Sequence, residues 1–414
     1  VLNEVELMRI LLLHNRYRTN QPSGEDVVVE QDLAALRRRG HDVLLVQRHS
    51  DDIADMTLVD KALVPARVVW SRRDADGMRR TLRSFQPDVV HAHNTFPLLS
   101  VAPLVHAHRS GVAVVATLHN FRLFCAAGTL LRDGRHCEDC LGRTPVAAVM
   151  HRCYRGSLAA TAPLAASIGL HGALGTWSTS VDRFIAMSDF SRDLAVRGGL
   201  PAQSVVVKPH FVDDPAAVRH GPGSYSLYMG RLSPEKGPEW MLRNWSPELG
   251  PLLVIGDGVL RSELESLAFE LRLDVHFTGA LPRSEARRYL RDARLVVMPS
   301  QFYETFGMSA VEAMAAGVPV VAPRMGVLPE IIGDDVAGVS YEFGSGESFR
   351  DAARRASEPS ESIRLGAAGR ERYLALFSED SVMELLEGIY REAIVACRGN
   401  AADDGREVEG NASA

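Results

Sequence analysis

Apolar residues fall in two alternating series along the chain, short unbroken runs followed by longer stretches with helical spacing. The first run, residues 8–14, reads MRILLLH and is apolar almost throughout, as a strand covered on both faces must be. Residues 15–23 are polar. A helix is predicted over residues 24–39, where Val27, Val28, Leu33 and Leu36 fall near helical spacing and Gly40 supplies the C-terminal stop. The next run, residues 43–46, completes a strand–helix–strand opening, the start of a parallel sheet. Further short buried strands are predicted at residues 89–91, 113–118, 184–187 and 205–207, separated by helical stretches.

The rhythm breaks at residues 213–223, DDPAAVRHGPG, which carry two prolines, two glycines and no apolar period. The domain linker is placed there. A second series follows, with strands at residues 226–229, 252–255, 275–278, 295–298, 319–322 and 338–340. The expected fold class is therefore α/β, with two Rossmann-like doubly wound domains facing a cleft. The first domain is expected to span residues 1–213, with a cysteine-rich insertion at about 120–155, and the second residues 214–380. Residues 381–398 read as an amphipathic helix and residues 399–414 as a disordered tail. Ligand sites in such sheets lie at the carboxyl ends of the strands, so the loops that follow strands are the places to search.

A length of 414 residues and a 46% hydrophobic fraction suit two or three soluble domains. The net charge of −6 argues against a general nucleic-acid binder. No secretory signal is expected, because residues 1–6 carry acids where a signal needs positive charge. The weakly polar stretch 158–177 is too polar for a membrane span. A cytoplasmic location follows. All but three of the 46 Lys and Arg residues are arginine, and two of those three lysines, Lys208 and Lys236, fall in strings of interest.

GRLSPEKG, residues 230–237, follows a strand and precedes a helix starting near Pro238. Arg231 and Lys236 thus stand in a glycine-flanked loop at a helix N-terminus, where free N–H groups and two cations suit a diphosphate. The alternative is a solvated loop with two surface cations. Residues 300–317, SQFYETFGMSAVEAMAAG, place Glu304 in a loop and Glu312 on a helix that is otherwise almost wholly apolar. Such a helix is buried. A buried carboxylate needs a partner, and a ribose diol or a nearby arginine would serve. Glu304 would face a sugar. His119 ends a strand and could hydrogen-bond a sugar hydroxyl or handle a proton, or be a structural histidine. GDGVLR, with Gly256 and Gly258, could line a base pocket with Thr278 and Gly279; neither a GxGxxG nor a Walker A string is present.

Cys125, Cys137, Cys140 and Cys153 are spaced C-x11-C-x2-C-x12-C. A structural zinc site fits this set, and a redox pair at Cys137 and Cys140 or ordinary small thiols are the rival readings. The arginines of residues 120–155 could meet an anionic lipid carrier or the inner face of a membrane, or form a solvated basic face.

GRLSPEKG together with ETFGMSAVE resembles retaining glycosyltransferase family 4, of the glycosyltransferase B fold. The segment from LHNFRLFC to HRCYRG is similar to a bacterial branch with a four-cysteine insertion. The resemblance covers about residues 8–398. It implies a nucleotide-diphosphate sugar as donor, a glycan, lipid-linked or small-molecule acceptor, and no catalytic metal. Arg231 and Lys236 would hold the diphosphate, Glu312 the ribose, and Glu304 the donor sugar. Phe306, Gly307 and Met308 would belong to the donor site, the last two through backbone N–H groups. Gly24 would approach the phosphates, and His119 would sit beside sugar and acceptor. The helix over residues 381–398 would cross back to the first domain. His210 stands where relatives often show Asn, and Lys208 is expected to be structural. The alternatives are a sugar-nucleotide epimerase of the same fold and a non-catalytic nucleotide-sugar sensor with a metal or redox switch.

Overall fold

The computed structural model describes residues 7–19, 24–215 and 218–403. Its strands are β1 (Arg9–Arg16), β2 (Asp42–His49), β3 (Val89–Asn94), β4 (Ala113–Thr117), β5 (Leu131–Arg132), β6 (Arg135–His136), β7 (Arg183–Ala186), β8 (Val205–Val207), β9 (Tyr225–Met229), β10 (Leu252–Ile255), β11 (Val275–Gly279), β12 (Ala293–Val297), β13 (Val320–Pro323) and β14 (Gly338–Tyr341). Two six-stranded sheets form, ordered β2-β1-β3-β4-β7-β8 and β11-β10-β9-β12-β13-β14. Every ladder in both is parallel. This is the pair of Rossmann-like sheets that the apolar runs predict. The antiparallel pair β5–β6 lies apart, inside the cysteine-rich insertion.

Strand β1 shows why the runs are apolar on both faces. Leu11 and Leu13 pack with Met78, Leu82 and Phe184, whereas Ile10 and Leu12 pack with Leu36, Phe211, Met383 and Leu386. The side-chain period of two thus feeds two separate cores. The second core includes the C-terminal helix Glu379–Asp403, which covers one face of the first sheet against β3 and β4. That helix starts two residues before the predicted segment and runs on through Asp403, so residues 399–403 are helical instead of tail. Residues 404–414 of the predicted tail lie outside the described residues. The Tyr390 hydroxyl on this helix shares a hydrogen bond of 2.8 Å with His91 Nδ1, and Glu387 pairs with Arg39 and with His41 at 3.1 Å.

The strand order places the switch points. In the second sheet the order reverses between β9 and β12, and in the first between β1 and β3. The crevice beyond the carboxyl ends of those strands is where a ligand finds backbone from two diverging loops. The β1–β3 register shifts at Leu13/His14, so irregular backbone begins at that end.

Candidate active site

At the second sheet's switch point, the loop after β9 carries Gly230 to Gly237 and the loop after β12 carries Pro299 to Gly307. Backbone contact fixes these two loops against one another. Gly237 has φ +70, and a Cβ there would lie 2.0 Å from the Pro299 carbonyl oxygen. Gln301 N–H donates to the Glu235 carbonyl at 2.8 Å. A third loop closes on the first: Gly256 N–H donates to Gly279 O at 2.9 Å, and a Cβ on Gly256 would fall 1.9 Å from Gly230 O. Only glycine permits approaches this close. Gly258 likewise backs onto Leu232.

The result is that Lys236 Nζ reaches both oxygens of Glu304, at 2.7 and 2.9 Å. Ser300 Oγ donates to the same carboxylate at 2.6 Å, and the ammonium lies 4.9 Å from the centre of the Phe302 ring. Glu304 is buried and Lys236 is a quarter exposed. Arg231 points outward, with only a loose contact to Glu235 at 3.5 Å. The helix Met308–Ala315 starts one residue beyond Gly307, whose φ is +96. Ser309 Oγ ties its first turn to the end of β9 through the Met229 carbonyl, at 3.0 Å.

Glu312, near the middle of that helix, is buried and has protein partners. Arg283 bonds it directly and Arg287 Nε lies 3.3 Å away, while Arg287 Nη1 also reaches Asp213 at 3.1 Å. Of the two partners the sequence left open, the arginine is the one the structure supplies. Thr278 turns its hydroxyl to the Gly279 carbonyl at 2.9 Å, so its side chain is spent on backbone. Phe306 is a core residue, packed on His210 and Phe377. Gly24 opens the helix Gly24–Arg38 with open space beside it. Residues 20–23 of the preceding loop lie outside the described residues.

On the first sheet, the strand ends bring together histidines. His119 stacks on His93 with ring centres 5.2 Å apart and on His210 at 5.1 Å. His93 Nδ1 and His119 Nε2 share a hydrogen bond of 3.0 Å. His210 in turn packs on Phe306, so one line of rings runs from His119 into the second domain. Burial holds His93, His119 and His210 well below the ordinary imidazole range, and His91 at about 3. Buried Lys208, 3.8 Å from Asp32, adds positive charge that pushes in the same direction. These rings are therefore neutral hydrogen-bonding groups.

Residues the sequence reading passed over complete the site. Glu25 is buried, with Tyr17 O–H donating to it at 3.3 Å and Asn120 Nδ2 at 3.5 Å. Burial, with Asp26 adding to it, raises Glu25 to about 8. Asp26 pairs with His14 at 2.8 Å. Tyr303, beside Glu304, stacks on His136 of the insertion at 4.3 Å and meets Phe190 edge-to-face at 4.9 Å. The sequence carried two usable signals: His91 and His93 alternate on one strand, and Arg283 and Arg287 stand one helical turn apart. Beside His119 a cavity of about 100 Å³ opens, lined by Phe96, Leu164 and Trp177 on its apolar side and by Asn120 and Arg122 on its polar side.

The four cysteines of the insertion are partly exposed. Burial raises the Cys140 and Cys153 thiols, the opposite of an activated thiolate. Among the described residues, the group of three metal-capable side chains with ligand atoms within 4.8 Å of one another is His108, Asp182 and Cys397. The four thiols of the insertion lie near enough to act on one another electrostatically, Cys125 and Cys137 acting on both Cys140 and Cys153. No described helix is long and apolar enough to cross a membrane.

Two family models match the chain, Glycosyltransferase Family 4 over residues 22–214 and Glycosyl transferases group 1 over residues 215–372. The chain is 35% identical over 189 residues to a D-inositol 3-phosphate glycosyltransferase of Thermobifida fusca, covering 42% of this chain and 43% of the relative. It is 37% identical over 134 residues to an MMP alpha-(1->4)-mannosyltransferase of Mycolicibacterium hassiacum, covering 31% of this chain and 32% of the relative. These matches span less than half the length of the curated relatives. Among solved structures, sucrose-phosphate synthase of Thermosynechococcus elongatus superposes with a TM-score of 0.68 at 19% identity, covering 94% of this chain and 99% of that one. HepE of Anabaena in complex with UDP gives 0.64 at 17% identity, covering 93% and 100%. At those identities the likeness is one of fold.

Glu25 sets a pH dependence of stability. Its folded value of about 8 exceeds the ordinary 4.5, so between those values the folded chain holds a proton that the unfolded chain has lost. Its contribution to stability therefore falls as pH rises from about 4.5 to about 8. Glu25→Gln should remove this slope and be roughly 2–4 kcal/mol more stable than the parent at pH 8. Denaturant unfolding of both proteins at pH 5 and pH 8 checks this; an equal difference at both would contradict it.

Proposed function

This chain belongs to glycosyltransferase family 4, with the glycosyltransferase B fold, and on that premise we propose that it transfers a sugar from a nucleotide-diphosphate sugar with retention of anomeric configuration. The observation that carries the proposal is the Lys236–Glu304 pair, held at the second sheet's switch point by two loops in backbone contact. An ammonium and a carboxylate that satisfy one another are charged, ordered and partly accessible. A donor entering there separates them: Lys236 and outward-pointing Arg231 take the diphosphate, and Glu304 is freed to accept bonds from sugar hydroxyls. Phosphate charge that grows as the sugar leaves is then met by fixed cations, which is where such a site gains rate.

The other residues take supporting roles in this reading. Gly307 and Met308 lend N–H groups at a helix N-terminus. Glu312, oriented by Arg283 and Arg287, accepts the ribose hydroxyls. Gly256, Gly258, Thr278 and Gly279 shape the wall beside the base, and Phe306 supports the loop from the core. Gly24 stands at the opposite rim. His119, kept neutral by burial, binds a sugar hydroxyl and does not act as a proton store. The acceptor enters by the cavity beside it, with an apolar body against Phe96 and Trp177 and a polar end toward Arg122. The likeness to the UDP-bound fold neighbour makes uridine the first base to try. The four insertion thiols are candidates for a structural zinc site, which their mutual electrostatic proximity supports.

Slow donor hydrolysis across UDP-, GDP-, ADP- and TDP-sugars tests the reading. One donor should be cleaved by the parent, and Lys236→Ala should lower kcat by about two orders of magnitude, the scale seen when one transition-state charge contact is removed. Glu312→Ala should mainly raise KM. If no donor binds, or neither substitution changes turnover, the reading fails. Exposed Leu58, Val59, Met150 and Leu158 lie on the helix Leu158–Ala173 and on two helices packed against it, with Arg152 and Arg155 between Met150 and Leu158 in the chain. They fit a peripheral contact with an anionic membrane, which predicts salt-sensitive co-sedimentation with anionic vesicles; equal binding to neutral vesicles would refute it.

A further inference from the structure

Far from the cleft, at the amino ends of the first sheet's strands, three side chains from distant parts of the chain converge. His108 ends the helix Ala102–Arg109, Asp182 precedes β7, and Cys397 lies on the C-terminal helix. Their ligand-capable atoms all lie within 4.8 Å of one another. The Asp182 side chain and Cys397 are almost fully buried, and the His108 side chain is about nine-tenths buried.

Asp182 and Cys397 beside the His108 imidazole hold it up to about 9, but the His108–Asp182 contact is a long one. His108 Nδ1 and Asp182 Oδ2 are 3.5 Å apart, beyond a good hydrogen bond. His108 Nδ1 and Asp182 Oδ1 are both buried without a hydrogen-bond partner. A separation of 3.5 Å is close to the edge of a tetrahedron whose corners carry N and O ligands about 2.0–2.1 Å from a zinc ion, an edge of about 3.3 Å. Asp182 Oδ2 is itself fixed by the Val114 N–H at 2.8 Å, while Asp182 N–H donates to the Val114 carbonyl at 2.8 Å. The carboxylate is thus oriented by a neighbouring strand, as a ligand's outer partner would orient it.

We propose that His108, Asp182 and Cys397 bind one thiophilic divalent cation, zinc foremost, and that the ion clamps the C-terminal helix to the first domain. Imidazole, carboxylate and thiolate are each common zinc ligands, and the thiolate disfavours magnesium and calcium. One thiolate and one carboxylate match the ion's two positive charges. Binding displaces the Cys397 S–H proton and the imidazolium proton that His108 carries beside Asp182, and both leave to solvent. Because the site sits at the strand ends opposite the cleft, the ion is structural and touches neither donor nor acceptor.

The test uses the full chain, stripped with a chelator and dialysed against zinc. One equivalent of zinc per chain should return, and cobalt in its place should give a thiolate-to-cobalt charge-transfer band. Cys397→Ser should lose that band and weaken zinc binding at least tenfold, as should Asp182→Asn. A variant with Cys125, Cys137, Cys140 and Cys153 all changed to Ser should keep both. Zinc should raise the parent's thermal midpoint and leave that of Cys397→Ser unmoved. No bound zinc in the parent would overturn the proposal. So would zinc retained by Cys397→Ser, or zinc lost only in the four-cysteine variant, which would assign the metal to the insertion. In the four-cysteine variant Cys397 is the one thiol left, so a cobalt band there decides the question even if Cys397→Ser fails to fold.

Discussion

Gly237 turns through a left-handed backbone angle directly against the Pro299 carbonyl, in a space where no side-chain carbon fits. That contact makes one object of two loops from different strands. With the loops apart, Lys236 and Glu304 would be two surface charges on flexible segments, and exposed ion pairs of that kind contribute little. With the loops in contact, one is buried, the other is partly shielded, and they meet at 2.7 Å. The same logic recurs where Gly256 meets Gly230, so three loops of the second sheet stand at fixed heights around the switch point.

The two buried lysine–carboxylate neighbourhoods of this chain differ in a way that separates structure from chemistry. Lys208 and Asp32 lie almost wholly inside, 3.8 Å apart, with the lysine lowered and the aspartate raised by burial. Neither has a route to a ligand. Lys236 keeps a quarter of its surface and a second bonding option, as a group that must exchange one anion for another needs. Between the two domains, the ring line His119–His210–Phe306 and the stack of His136 on Tyr303 join the strand ends of the first sheet to the loop that carries Glu304. The neutral rings add no charge to that junction.

Much of this was legible in the sequence because it is local. Buried parallel strands are short apolar runs, and each predicted strand of both sheets starts within two residues of an observed one. GRLSPEKG and ETFGMSAVE follow strands, and both strands flank a switch point, so their loops meet. What stayed hidden depends on pairing across the chain. His14, His93, His119 and His210 form one cluster only after four strand ends align. Glu312 was expected to need a partner, but the choice between ribose and arginine rested on where the helix Arg283–Leu290 would pack. The length of the C-terminal helix was underestimated because its last turns, CRGNAAD, lack the apolar spacing that marked its start. Cys397, the fifth cysteine, looked solitary in sequence and meets His108 and Asp182 only through that helix.

The central claim is that the loops after β9 and β12 form one diphosphate site. A crystal structure of the chain with a nucleoside diphosphate tests it most directly. The account predicts phosphate oxygens on Lys236 and Arg231, with the Lys236–Glu304 bond opened and the ribose on Glu312. A diphosphate bound elsewhere, with Lys236 still closed on Glu304, would contradict it.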